Sequence, residues 1–167
     1  MKRTLCGVGL AALCLMGATS ALAGIADSPL PVLQAGATTQ FLYSVPGVVN
    51  NGILATVFIC TSTDTATMQV GVEVFGDFGG APANDATATS LSVAPGATVN
   101  FRTGALVWLG GNSSSLIPGP VESGSARILA TSKKLTCTAF LADPSNAPPT
   151  SMVYLTIIAK LKQKAAN

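Results

Sequence analysis

Few residues in this chain have the chemistry to act as more than scaffold. Cys60 ends an apolar run and is followed by hydroxyls, in the stretch FICTSTDT from Phe58 to Thr65. A thiol in that place could be a nucleophile, a metal ligand, a redox centre or a staple. A cysteine nucleophile needs a base, usually histidine, and the chain has none. A zinc site usually takes four ligands, and Cys60 and Cys137 show no CxxC spacing. A redox pair is typically close in sequence and exposed. The remaining reading is a disulfide, which two cysteines in an exported chain favour. In the chain-entropy model a bridge closing so long a loop is worth about 4.5 kcal/mol.

The other reactive groups are equally sparse. Without histidine there is no Ser-His-Asp triad and no imidazole proton shuttle. Ser-Lys catalysis needs a desolvated lysine, whereas Ser132-Lys133-Lys134 reads as a turn. Paired carboxylates can hydrolyse glycosides. The candidates are Asp64, Glu73, Asp77, Asp85, Glu122 and Asp143. Glu73 falls opposite Val72 and Val74 and is expected to face solvent; the rest fall in expected loops, with nothing pairing them. DFGGAPAND, from Asp77 to Asp85, has oxygens that could wrap calcium but lacks dense DxDxD spacing. Turn formation is the expected use of Gly79, Gly80, Asn84 and Asp85. Asn112-Ser113-Ser114 fits a glycosylation sequon, a match of only three residues. The expectation is therefore a protein that is not an enzyme and holds no metal or cofactor; a hydrolase using loop carboxylates comes last.

The N-terminus carries an address. Lys2 and Arg3 precede an apolar stretch from Leu5 to Met16, and Ala21-Leu22-Ala23 forms an Ala-x-Ala cleavage pattern. This is the layout of a secretory signal peptide, residues 1–23, with residues 24–167 as the exported domain. The apolar stretch is too short to span a bilayer. Lipidation requires a small residue before the modified cysteine, but Leu5 and Leu13 precede Cys6 and Cys14. Loss of Lys2 and Arg3 from the nine Lys/Arg leaves a balance with the seven Asp/Glu, so the exported part is neutral. A neutral surface gives no electrostatic case for nucleic acid. The basic tail Lys160-Leu161-Lys162-Gln163-Lys164 reads as a solvated end.

The elements that must position these residues are strands. Charged residues make up 10% of the chain against an ordinary ~25%, while apolar residues reach 49%, enough for a core. Met68–Val74 alternates cleanly, as do Ala97–Arg102, Leu135–Leu141 and Met152–Leu161. Further strands are expected at Thr39–Val45, Gly52–Thr61, Leu106–Leu109 and Ala126–Thr131, with turn-rich stretches at Gly76–Ala88 and Gly110–Gly124. No segment of the exported part shows a 3.6-residue period of helical length. The expected fold is all-β: an antiparallel sandwich of about 7–9 strands, whose inward-facing Cys60 and Cys137 meet across the core as one inter-sheet disulfide.

One strand breaks the alternation. Gly52–Thr61 is apolar on both sides, with Leu54, Phe58 and Cys60 on one and Ile53, Val57 and Ile59 on the other. Phe140 likewise points away from the side of Cys137. Sandwich strands should be polar outside. Either a segment such as Ile25–Val45 or Gly110–Gly124 covers Ile53, Val57, Ile59 and Phe140, or these four form an interaction face for a partner.

Two pieces resemble secreted bacterial immunoglobulin-like domains used as extracellular adhesion or accessory modules. One is Cys60-Thr61-Ser62-Thr63-Asp64-Thr65-Ala66 leading into Val70-Gly71-Val72-Glu73-Val74-Phe75; the other is Leu91-Ser92-Val93-Ala94-Pro95-Gly96-Ala97-Thr98-Val99-Asn100-Phe101. The resemblance spans Gly52 to Lys160 and implies that Cys60 lies on the second strand and Cys137 on the penultimate one. Trp108 and Leu135 depart from the antibody pattern, so architecture alone is implied. The functional expectation is an exported binding or structural module of the surface or envelope, with a protein or envelope partner or with itself. The alternative is a carrier of a small apolar ligand held between the sheets.

Overall fold

Strands form where β-branched and aromatic residues alternate with small or polar ones, and they stop at Gly, Pro and Asn. The computed structural model describes residues 24–106 and 109–160. The expected leader, Trp108 and the tail beyond Lys160 lie outside these described residues. The strands are β1 (Gln40–Asn50), β2 (Ala55–Ser62), β3 (Met68–Phe75), β4 (Leu91–Val93), β5 (Thr98–Arg102), β6 (Ser113–Ser115), β7 (Val121–Ala130), β8 (Leu135–Ala142), β9 (Met152–Tyr154) and β10 (Ile158–Ala159). A four-residue helix, α1 (Ala86–Thr89), precedes β4.

All ten strands belong to one curled sheet shaped like a half-barrel. Its main path runs β4-β3-β7-β1-β2-β5-β6; β8 joins β2, β9 joins β8, and β10 flanks β1. β1 and β2 meet through a single residue pair, Asn50 with Ala55, and the sheet folds at that corner. One wing holds β4, β3, β7, β1 and β10, the other β6, β5, β2, β8 and β9. Pairing is antiparallel except between β5 and β6, which run parallel.

The wings close on a common core. Val45, Val48, Met68, Val70, Val72 and Ile128 come from the first wing, and Phe58, Val99, Phe101 and Ala139 from the second. The Tyr43 hydroxyl donates to the Leu135 carbonyl and ties β1 to β8 across it. At the corner, buried Thr56 is both donor to and acceptor from the Val49 backbone, at 3.0 and 2.8 Å. Thr103 accepts from Thr56 N at 2.9 Å and donates to Val49 O at 2.8 Å. These hydroxyls satisfy backbone groups that the turning sheet leaves without ladder partners.

Several expectations are corrected here. Two separate layers were expected, but hydrogen bonding runs continuously through Asn50 and Ala55. The Cys60–Cys137 disulfide is not inter-sheet: the two residues face each other directly on adjacent strands β2 and β8, 4.1 Å apart at Cα. The last segment is not one strand; Leu155–Ile157 carries the chain from β9 in the second wing to β10 in the first. Leu106 and Leu109 are not in a strand, while Ser113–Ser115, expected as loop, is β6. Glu73, expected to face solvent, is buried.

Glu73 is buried because the N-terminal segment lies over it. Arg127 in β7 is paired with Glu73 directly across from it in β3. Its guanidinium also donates to the Ser28 and Pro29 carbonyls at 2.9 and 2.8 Å, and stacks on Phe75 and Phe41. Leu33 then packs with Ala86, Leu129 and Phe41, against the bare backbone of Gly71. A buried charge is tolerated only when so fully paired. The outer side of the second wing is covered differently, as Leu106 and Leu109 lie over Ala55, Val57, Phe140 and Ala142.

Candidate functional site

The disulfide sits in the middle of β2 and β8, with Cys60 fully buried. It is a staple within one wing, joining positions 77 residues apart in sequence.

The carboxylates are spread through the fold and engaged in building it. Asp64 accepts from Ser132 and Lys134 and holds one hairpin end to another. The Ser132 hydroxyl first, then the Thr65 N–H, lowers its pKa from 3.8 to about 2. Asp143 accepts from the Thr150 hydroxyl and N–H, both at 2.7 Å, and from Asn146 and Ser145. The Thr150 hydroxyl leads in holding its carboxyl well below the ordinary range. Asp85 caps α1 through Thr87 N and Ala88 N. Asn84 bonds both Val74 N and Val72 O, acting as an extra strand residue beside β3. Asp77 Oδ1 accepts from Glu122 N and Ser123 N at 3.2 and 2.8 Å. Turn construction thus employs both ends of DFGGAPAND. No group of three or more Cys, His, Asp or Glu is gathered for a metal among the described residues.

Of the four residues expected on an interaction face, Val57 and Phe140 are buried, Ile59 is half-buried, and Ile53 stands out into solvent. The structure therefore does not bring the four together as one open face. Leu106 and Leu109 cover the strand interior, a role the sequence pattern assigned to other loops.

Besides Leu30 and Val32 on the N-terminal segment, two other places expose large apolar side chains. The first is one end of the molecule, where β1 and β3 finish and β2 and β7 begin. Three loops meet there and each ends in an apolar tip: Ile53 at 75% exposure, Phe78 at 100% and Ile117 at 76%. Asn50 Nδ2 donates to Gly119 O at 2.7 Å, and Asn51 Nδ2 to Glu122 Oε2 at 3.2 Å. With the Asp77 bonds to Glu122 and Ser123, these tie the first two loops to the start of β7 and the third to the end of β1. Phe78 lies between Asp77 and the paired Gly79 and Gly80, both at positive φ, so the loop reverses just past the ring. Ile117 has φ +44°, a region β-branched residues rarely adopt. Sequence reading missed Phe78 and Ile117, whose only signal was an apolar residue inside a turn-rich stretch.

The second place is the last segment, where Met152, Val153, Tyr154 and Ile158 are exposed. β9 pairs with β8 and β10 with β1, each on one side only among the described residues. Beside β10, Ile25, Ala26, Phe41 and Lys160 line a surface groove of about 510 Å³, with the Lys160 ammonium 4.5 Å from the Phe41 ring centre. The space between the wings is filled by the core.

With this geometry in place, the chain matches no protein-family model, no curated protein and no solved structure. The class that can be stated is an all-β antiparallel protein with one internal disulfide. No helix among the described residues is long and apolar enough to cross a membrane.

Proposed function

We propose that this is an exported, non-catalytic binding module of the surface or envelope, whose two wings serve as the layers of an immunoglobulin-like sandwich. The observation that carries the reading is where its large apolar side chains lie. Those left outside are concentrated on the loop tips and the last strands, on a scaffold stapled by a disulfide. Concentrated apolar exposure on a soluble surface marks a place of contact. The half-paired edges of β9 and β10 can also accept a strand from a partner. The carboxylates support the reading, because each is engaged in holding a turn, a helix start or an ion pair.

Crosslinking and mass spectrometry of the native exported fraction tests it. Crosslinks from the loop tips or from residues 152–159 to an envelope component or a second copy are expected. A strictly monomeric protein without such crosslinks sinks the proposal.

A second reading, carriage of a small amphipathic ligand, is favoured by the groove beside β10, which combines apolar walls with the Lys160 cation. Native mass spectrometry decides it: a co-purified lipid or metabolite supports the carrier, and a bare protein removes it.

A further inference from the structure

We propose that Asn51 is a site of self-modification. The fold favours attack of the Gly52 nitrogen on the Asn51 side-chain amide, and the turn between the wings converts to aspartate and isoaspartate with water as its only co-reactant. This goes beyond the reading of the protein as a binding module and does not depend on it.

The step balances without an oxidant or a cofactor. The Gly52 nitrogen attacks Cγ of Asn51 and yields its proton to solvent base. A C–N bond forms, the Cγ–Nδ2 bond breaks, and Nδ2 takes a proton from solvent and leaves as ammonia. Water then opens the five-membered succinimide at either carbonyl, giving aspartate or isoaspartate. A Cβ on the residue after the asparagine crowds the attacking nitrogen, so glycine there is the most permissive neighbour. Asn51-Gly52 is the one such step in the chain. Asn50, Asn84, Asn100, Asn112 and Asn146 are followed by Asn51, Asp85, Phe101, Ser113 and Ala147.

The structure prepares both reacting groups. Asn51 Oδ1 accepts from the Ile53 and Leu54 N–H groups at 3.1 and 2.9 Å. Two such donors polarise the carbonyl and stabilise the negative charge that grows on Oδ1 as the nitrogen adds, in the manner of an oxyanion hole. Nδ2 is held from its other side by Glu122 Oε2 at 3.2 Å, so the amide is oriented before it reacts. The Gly52 N–H donates to no acceptor among the described residues. Nothing lies within 4 Å of where a side chain on Gly52 would stand. Gly52 also lines a surface hollow of about 430 Å³ with Asn50, Leu54, Ala55 and Pro144, which admits the water that the second step consumes. Its φ of +82° suits glycine, so the turn and the reaction require the same residue.

Conversion has consequences at this place because Asn51 lies where β1 passes to β2. A carboxylate at Asn51 cannot donate to Glu122 and repels it, which removes the tie from this turn to β7. Isoaspartate also lengthens the main chain by a methylene just beyond the Asn50–Ala55 pair that joins the wings.

Incubation of the exported protein in mildly alkaline buffer tests the proposal. Peptide mapping should show exchange of NH2 for OH at Asn51 about tenfold faster than at any other asparagine. An isoaspartyl methyltransferase supplied with labelled methyl donor should label the aged protein and not the fresh one. On anion exchange the aged protein should move to the position of Asn51→Asp, later than the fresh protein. Gly52→Ala and Asn51→Gln should each lower the rate about tenfold or more. The second keeps the turn glycine and would have to close a six-membered ring, so it decides the matter if alanine strains the turn. The role of the fold is read by repeating the incubation in urea with the disulfide reduced. The unfolded chain lacks the two placed donors and should convert several-fold more slowly. Conversion in urea as fast as in the folded protein, or faster, overturns the inference. So does an Asn51 that stays intact while another asparagine converts, or an Asn51→Gln protein that acquires label as the wild type does.

Discussion

Arg127 shows how much one residue can organise. It is among the largest fully buried side chains, and its donors are shared between Glu73 and the carbonyls of the N-terminal segment. Removing the guanidinium leaves a buried carboxylate without its partner, which is more damaging than removing both charges. Arg127→Met should therefore destabilise the protein by about 3–5 kcal/mol in urea unfolding, and Glu73→Leu added to it should restore part of that loss. A double variant less stable than the single would contradict the pairing. Ile117 lies at the opposite extreme, exposed and held in a backbone region that suits glycine. Ile117→Gly should leave stability unchanged or raise it by up to about 1 kcal/mol, read from the denaturation midpoint. The sequence showed both residues but not these roles. Alternation placed Glu73 opposite the core correctly, yet it could not show that residues 24–33 return to cover that side.

At the scale of elements, short polar connections are fastened by carboxylates at both ends of the sheet. Asp64 ties the β2–β3 connection to the β7–β8 turn, and Asp143 closes the loop between β8 and β9. Both have folded pKa values below their unfolded ones, so each contributes stability that is complete above the unfolded value. For Asp64 the contribution is lost as pH falls from about 3.8 through about 2. Asp143 acts in the same direction. Acid titration of stability should show a falling limb below about pH 4, and Asp64→Asn should flatten it. A variant whose acid limb matches that of the wild type would show that Asp64 is not coupled to folding. The strands themselves were largely legible. The Met68–Val74 and Leu135–Leu141 alternations correspond to β3 and β8 within a residue. The last strand was not, because an unbroken alternation from Met152 conceals a crossover: Leu155 N bonds to Ala139 O on one wing and Lys160 N to Leu42 O on the other. Period alone carries no information about which neighbour accepts the next hydrogen bond.

At the scale of the molecule, the corner at Asn50 and Ala55 joins the two wings, and the disulfide staples β2 to β8 within the second. Cys60→Ala with Cys137→Ala should lower stability by about 2–5 kcal/mol, with the chain still able to form its core. Denaturation and reduction of the wild-type protein should add two hydrogens to its mass; free thiols in native protein would contradict the bridge. Composition and alternation were sufficient for an all-β class and for the pairing of Cys60 with Cys137, because strand periodicity and the scarcity of other thiol chemistry are local or compositional properties. They placed the bridge between layers, whereas strand order puts it between neighbours. Which outer faces are covered, that Glu73 meets Arg127, and that Ile53, Phe78 and Ile117 share one end were decided only by tertiary structure. Each depends on contacts between segments tens of residues apart, set by how the sheet curls and not by any pattern along the chain.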